Sequence, residues 1–284
     1  MNKYLILART YDLTPPTWVH YCWGMVMGNI NRLFRFKNKE VQHFFGYTLE
    51  KVVSKTNGYH NYRVGIYTKN GVRYFVKFWS GTVRDYNFYS LVNEFFTSAA
   101  LYSVSQDRTD RKIYFPDIKD LYVSRNSMAI IYEYIDGHEL TLESKEVQQE
   151  TITNVLAYLK SLAPVLSSEY KPYLKMRGFV YYCVSFPYYF YKFAIPAPSK
   201  VLSLIPTLIR SLLSLRTKSL IPTHGDLTTD NIRVSGERIY LVDFEYFSLT
   251  YSGYDRYYFY KQVKGGMPGR LNEIIRLSAD VHMR

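Results

Sequence analysis

His224-Gly225-Asp226-Leu227-Thr228-Thr229-Asp230-Asn231, followed closely by Leu241-Val242-Asp243-Phe244-Glu245, is the stretch that decides the fold of this 284-residue chain. Two short apolar runs, Ile232 to Val234 and Ile239 to Val242, flank the polar turn Ser235-Gly236-Glu237-Arg238, the pattern of a β-hairpin. A turn centred near Glu237 puts Asn231 roughly opposite Asp243, and directly opposed residues of an antiparallel pair have Cβ atoms about 4.5–5.5 Å apart. A carboxamide and a carboxylate held in this way, with Glu245 two residues further on, are hard oxygen donors of the kind Mg²⁺ prefers beside phosphates. Asp226 lies five positions before Asn231, on the loop that leads into the hairpin, and is placed to act as a base. The plainer alternative takes His-Gly-Asp as a turn and Asp-Phe-Glu as the end of a strand.

The H-x-D-L-x-x-x-N spacing and the later Asp-Phe resemble the catalytic core of the kinase-like phosphotransferases. The resemblance is to the aminoglycoside phosphotransferase and choline kinase superfamily, including sugar and lipopolysaccharide kinases of that fold, more than to ordinary protein kinases. Gly225 stands where protein kinases usually carry Arg, and Glu245 where they carry the Gly after Asp-Phe. Asp243-Phe244-Glu245-Tyr246 and Tyr251-Ser252-Gly253-Tyr254-Asp255 are similar to the choline-kinase-type ending, with Asp255 matching an acidic residue that braces the catalytic loop in that family. The match spans about residues 50 to 260. It implies an α+β, bilobal protein-kinase-like fold with a small antiparallel β-sheet N-lobe and a mainly helical C-lobe. The expected division is an N-terminal extension at 1–48, a nucleotide-binding small lobe at 49–135, and a catalytic and acceptor-binding large lobe at 136–284.

The resemblance further implies an enzyme that moves the γ-phosphate of ATP, with GTP left open, to a hydroxyl of a small molecule, sugar or glycolipid. Asp226 is then the catalytic base. Asn231 and Asp243 hold Mg²⁺, Glu245 assists a second ion, and His224 fixes the loop by hydrogen bonding. No long activation segment or Ala-Pro-Glu follows, so control by loop phosphorylation is not expected. Two other classes stay open: a catalytically silent kinase-fold scaffold, and a protein kinase.

The amino-terminal half supports a nucleotide lobe on its own residues. Leu49 to Thr56, Tyr62 to Thr68 and Val72 to Trp79 read as three strands joined at Asn57-Gly58 and Asn70-Gly71, both strong turn dipeptides. Lys77 sits among apolar residues of the third strand, where a cation needs a partner, and phosphate fits; a solvated strand edge is the alternative. Glu94, in Leu91-Val92-Asn93-Glu94-Phe95-Phe96, fits the lysine-pairing glutamate of kinase folds, although the helical periodicity there is poor. The loop from Ser54 to Asn61 has one glycine, Gly58, and no G-x-G-x-x-G, so it reads equally as a phosphate loop or a simple hairpin turn. Met128 to Gly137 resembles the inter-lobe hinge, where the backbone of Glu133 to Ile135 contacts adenine; an ordinary buried strand and turn is the other reading.

A hydrophobic content of 47% suffices for a full core. Cys22 and Cys183 show no C-x-x-C or metal spacing, which suggests reduced thiols and a cytoplasmic chain. No uninterrupted run reaches the roughly 18 apolar residues of a spanning helix. The net charge of +12 points to an anionic partner. Nucleic acid is disfavoured, because the one basic cluster, Arg108 to Lys112, is interrupted by Asp110 and no nucleic-acid motif is present. A phosphorylated glycan, a lipid headgroup or peripheral contact with an anionic membrane fits better. Trp18 to Ile30, followed by Arg32, Arg35, Lys37 and Lys39, reads either as a helix packed on the small lobe or as a membrane-surface segment. The aromatic stretch from Phe179 to Phe193 suits sugar stacking, a quaternary ammonium or a lipid headgroup layer, and the sequence does not choose between them. Val201 to Leu215 reads as an apolar core helix.

Overall fold

The computed structural model describes residues 2–33, 43–54, 62–106, 113–184 and 198–255. The chain divides into two compact units, one of Met1–Ser144 with Asp230–Tyr246, the other of Lys145–Thr229 with the chain from Phe247. Together they make a mixed α+β architecture: a curved antiparallel sheet carries the first unit and helices dominate the second.

The sheet of the first unit runs in the order β1 (His43–Phe44), β2 (Tyr47–Ser54), β3 (Tyr62–Lys69), β4 (Val72–Ser80), β7 (Ser127–Glu133) and β6 (Ile118–Val123), with every neighbour antiparallel. Asn70 and Gly71 both take positive φ, 54° and 75°, the left-handed pair whose twist matches the strands of a two-residue hairpin. Val76, Phe78, Ala129 and Ile131 form a core with Tyr47 and Tyr67. α3 (Tyr86–Gln106) lies against β4, β6 and β7 and is buried nearly all round, which is why its sequence carries no amphipathic stripe. Its start is set by Asp85, whose Oδ1 accepts from the N–H groups of Asn87 (3.0 Å) and Phe88 (3.1 Å) and from the Trp79 indole (2.9 Å).

Among the described residues, two helices precede the sheet. α1 (Asn2–Thr10) buries Tyr4 and Ala8, and the Tyr4 hydroxyl donates to Asp117 Oδ1 at 2.6 Å. α2 (Trp18–Leu33) packs on α3, with Tyr21 against Tyr86 and His20 against Tyr89. Gly24 makes that approach feasible: a Cβ there would lie 2.7 Å from the Tyr86 nitrogen.

A second, smaller sheet in the same unit orders β5 (Ile113–Tyr114), β11 (Arg238–Leu241), β10 (Ile232–Ser235) and β8 (His138–Glu139). β10 and β11 are the hairpin read from sequence, but the turn is the two residues Gly236-Glu237, with Gly236 at φ 59°. The register pairs Ile232 with Leu241, so Asn231 lies level with Val242 and not with Asp243, one residue from the expected position. The Val242 N–H donates to the Asn231 carbonyl at 3.0 Å and closes the ladder.

In the second unit, α4 (Lys145–Ser161) and α5 (Ala163–Ser168) lie against β9 (Leu220–Thr223), which pairs antiparallel with β12 (Ser248–Tyr251). Val155, Leu159, Leu162 and Leu166 recur at helical spacing and are all buried, each contributing about 1.5–3 kcal/mol. α6 (Pro198–Ser214) leads toward β9, and Tyr182, Leu215, Tyr251 and Tyr254 form a further core. Gly58 with its loop, Arg108 to Lys112, and the aromatic run Phe186 to Phe193 lie outside the described residues.

Candidate active site

The first unit gathers most of the expected site residues. Lys77 enters on β4, the strand between β3 and β7, and its side chain is almost wholly buried. Its Nζ is 2.6 Å from Glu94 Oε1 on α3 and 2.7 Å from Asp243 Oδ1 beyond β11. Burial pulls the Lys77 ammonium down in pKa, but the carboxylates of Asp243 and Glu94 outweigh it and the net direction is up. Glu94 moves up as well, chiefly through burial, which the Lys77 charge offsets in part. The Tyr132 hydroxyl donates to Glu94 Oε1 at 3.3 Å and fixes that carboxylate from β7.

Asp243 holds its carboxylate toward Lys77 from a left-handed backbone, φ 68°, a conformation rare for any residue but glycine, asparagine or aspartate. The two residues after it are anchored separately. Phe244 is buried against Phe115, with ring centroids 5.7 Å apart, and the Glu245 carbonyl accepts from the Asn93 amide at 3.2 Å. The Glu245 carboxyl is pushed up to about 8, first by desolvation and then by the negative charge of Asp243. Among the described residues no three His, Cys, Asp or Glu side chains converge as a ready metal cage. Asn231 and Asp243 carry hard oxygen donors of the kind that could hold Mg²⁺.

The segment read as a hinge belongs to the same unit. The Glu133 N–H donates to the Asp117 carbonyl and Glu133 Oε1 accepts from the Asp117 N–H, both at 3.0 Å. Glu133 therefore has a structural partner for its N–H. Asp117 in turn is held by Lys3 (2.8 Å), Tyr4 (2.6 Å) and Lys119 (2.9 Å). Just past the hinge, Ser235 Oγ donates to the Asp136 carbonyl at 2.6 Å, and a Cβ at Gly137 would collide with the Val234 carbonyl.

The second unit carries the loop with Asp226. Asp255, buried, accepts from the N–H of His224 through Oδ2 and from the N–H of Gly225 through Oδ1, both at 2.7 Å. Gly225 has φ 84°, which a side chain there would strain. Burial raises the Asp255 pKa, and His224, the two N–H groups and Arg177 pull it back. Buried Arg177 donates to the Tyr254 hydroxyl at 3.0 Å. This clamp orients the backbone immediately before Asp226, itself half-buried. The chain then runs from Asp243 to β12 at Ser248.

Asn93, Tyr132, Asp117 and Arg177 were missed by sequence reasoning. Each acts through another residue, and an asparagine or arginine within an aromatic run carries no signal of that use.

No protein-family profile and no curated protein matches the sequence. Solved structures do. The chain is similar to the aminoglycoside phosphotransferase APH(2")-IIa in its ternary complex with streptomycin and ATP, at 14% identity over 90% of this chain and 84% of that one, TM-score 0.52. It is similar to a thermostable mutant of APH(4)-Ia in complex with AMP-PNP and hygromycin B, at 13% identity over 88% of each chain, TM-score 0.52. Spectinomycin phosphotransferase APH(9)-Ia, in complex with ADP and spectinomycin, matches at 14% identity over 90% of this chain and 80% of that one, TM-score 0.50. At such identities the likeness is one of architecture: the chain has the protein-kinase-like fold of the aminoglycoside phosphotransferases.

Proposed function

We propose that the protein is a nucleotide- and Mg²⁺-dependent phosphotransferase that moves the γ-phosphate of ATP to a hydroxyl of a small molecule, sugar or glycolipid. The observation that carries this reading is the buried Lys77, held at 2.6 Å by Glu94 and 2.7 Å by Asp243. A buried cation between two carboxylates is costly to keep for stability alone, whereas it suits a site that binds the oxygens of a polyphosphate. The fold and the ATP-, ADP- and AMP-PNP-bound complexes of similar structures support the same reading.

In this mechanism the acceptor oxygen attacks the γ-phosphorus in line, its bond to phosphorus forms as the bond to the β-phosphate bridging oxygen breaks, and ADP leaves. Asp226 takes the proton of the attacking hydroxyl or orients it. Lys77 would contact phosphate oxygens while Glu94 fixes its position. Asn231 and Asp243 would hold Mg²⁺, and Glu245 would assist a second ion. The metal supplies charge neutralisation on the phosphate oxygens. The carbonyl of Glu133 and the N–H of Ile135 meet adenine through backbone atoms, so their side chains do not discriminate ATP from GTP. The acceptor is met in solution or at an anionic membrane surface, consistent with a net charge of +12.

The test is transfer of label from [γ-³²P]ATP with Mg²⁺ to choline, aminoglycosides, simple sugars and a bacterial glycolipid extract offered separately, beside Asp226→Asn. Label reaching one acceptor only with Asp226 intact establishes the reaction. Failure of Mg-ATP to bind at all would sink it.

A further inference from the structure

Helix α2 presents a face that nothing in the proposed reaction uses. From Trp18 to Gly28 the exposed residues are Trp18, Val19, Cys22, Trp23, Met25 and Val26. At 100° per residue these six fall on one continuous arc of about 160°. The opposite arc holds Tyr21 and Gly24, which are buried, and His20, which meets Tyr89 of α3. The helix therefore packs its more polar and small residues inward and turns its apolar ones outward, the reverse of a helix that only covers a core. Trp18 and Trp23 stay 57% and 56% exposed, and no charged side chain interrupts the face.

We propose that this face of α2 is a docking surface for an anionic lipid bilayer, with Trp18 and Trp23 seated at headgroup level. Indole rings favour that layer because an apolar body and an N–H donor are satisfied there together. Charge selects the occupant. Between Thr14 and Lys39 the sequence carries Arg32, Arg35, Lys37 and Lys39 and no Asp or Glu, and the chain as a whole is +12. An anionic lipid surface attracts such a segment, whereas a second copy of the chain would bring like charges together. The area also argues against self-association. An eleven-residue helix face is about 16 Å long and about 10 Å wide, well short of the roughly 800 Å² per partner of a stable interface. The inference does not depend on the phosphotransferase reading. If both hold, docking brings the enzyme to acceptors carried in the lipid layer.

The test uses the full chain with vesicles of phosphatidylcholine alone and of phosphatidylcholine containing phosphatidylglycerol. The expected result is co-sedimentation with the anionic vesicles, weakened by salt, and a loss of affinity of about tenfold or more in the Trp18→Ser/Trp23→Ser variant. Both side chains are exposed, so the variant should match the parent in thermal denaturation. A readout on the unaltered protein stands beside it: Trp18 and Trp23 emission should be quenched by brominated lipid, while Trp79, fully buried, is not. Asp226→Asn should bind vesicles like the parent, which separates failure here from failure of the proposed reaction. The proposal is overturned by absence of binding, by binding that the double variant leaves unchanged, or by self-association without vesicles that the variant abolishes.

Discussion

Lys77 in the first unit and Asp255 in the second are both buried charges, and the chain satisfies them in opposite ways. Lys77 is balanced by other charges, Glu94 at 2.6 Å and Asp243 at 2.7 Å, drawn from a helix and from the end of a distant strand. Asp255 is satisfied by backbone, through the N–H groups of His224 and Gly225 at 2.7 Å each. A charge held by side chains can exchange partners when a ligand arrives. A charge held by main-chain donors cannot do so without undoing the loop. The first arrangement suits binding and the second suits fixed geometry, which is what the proposed base Asp226 on the following residue would require.

The sharpest cut between the two clusters touches neither. Asp226→Asn should lower transfer by about 10²–10⁴-fold while nucleotide affinity and thermal stability stay near those of the parent. Steady-state kinetics beside ATP titration checks this, and full turnover in the variant removes Asp226 from its role. Next in size is Asp255→Ala, which leaves two buried N–H groups without an acceptor and should cost about 3 kcal/mol in urea denaturation. Asp255→Asn keeps one acceptor and should cost less; equal losses would mean that the carboxylate pairs with charge more than with backbone.

Lys77→Met should weaken nucleotide binding about tenfold or more yet destabilise the fold less than Asp255→Ala, because buried Glu94 can take up a proton. The sign follows from the raised Glu94 pKa: folding then favours the protonated carboxyl, so stability is present at low pH and declines as pH rises. The variant should therefore lose more stability relative to the parent at alkaline than at mildly acidic pH, and a pH-independent difference would count against this account. The smallest effect belongs to the anchor of α1. Burial raises the Asp117 pKa, but hydrogen bonds from Lys3, Tyr4 and Lys119 outweigh it and the net direction is down. Its contribution is present above the usual aspartate range and fades as pH falls through it. Tyr4→Phe should cost about 1 kcal/mol near neutrality and nothing at strongly acidic pH, read from thermal melts.

Much of this was legible beforehand, and for local reasons. Asn70-Gly71 specifies a two-residue turn because both residues tolerate positive φ, and the strands on either side follow from it. The hairpin after Asn231 was equally plain, yet its register was misjudged by one residue because Gly236 opens the turn earlier than a centre at Glu237 implies. Glu94 was hard to place since α3 is buried on every side and leaves no periodic stripe. The sequence of α2 leaves packing and membrane-surface readings both open, because a run of apolar residues states how much surface is apolar, not which side meets α3.

The sequence by itself determined which residue types stand along the chain, their order and the turns between them, since those depend on side-chain type and neighbours a few positions away. The tertiary structure alone decided that Lys77 shares its charge between Glu94 and Asp243, that Asp255 holds the loop by its backbone, and that α2 turns its tryptophans outward. Each depends on contacts between segments far apart in the chain, where packing and the cost of burying an unpaired group choose among partners that local pattern leaves equivalent.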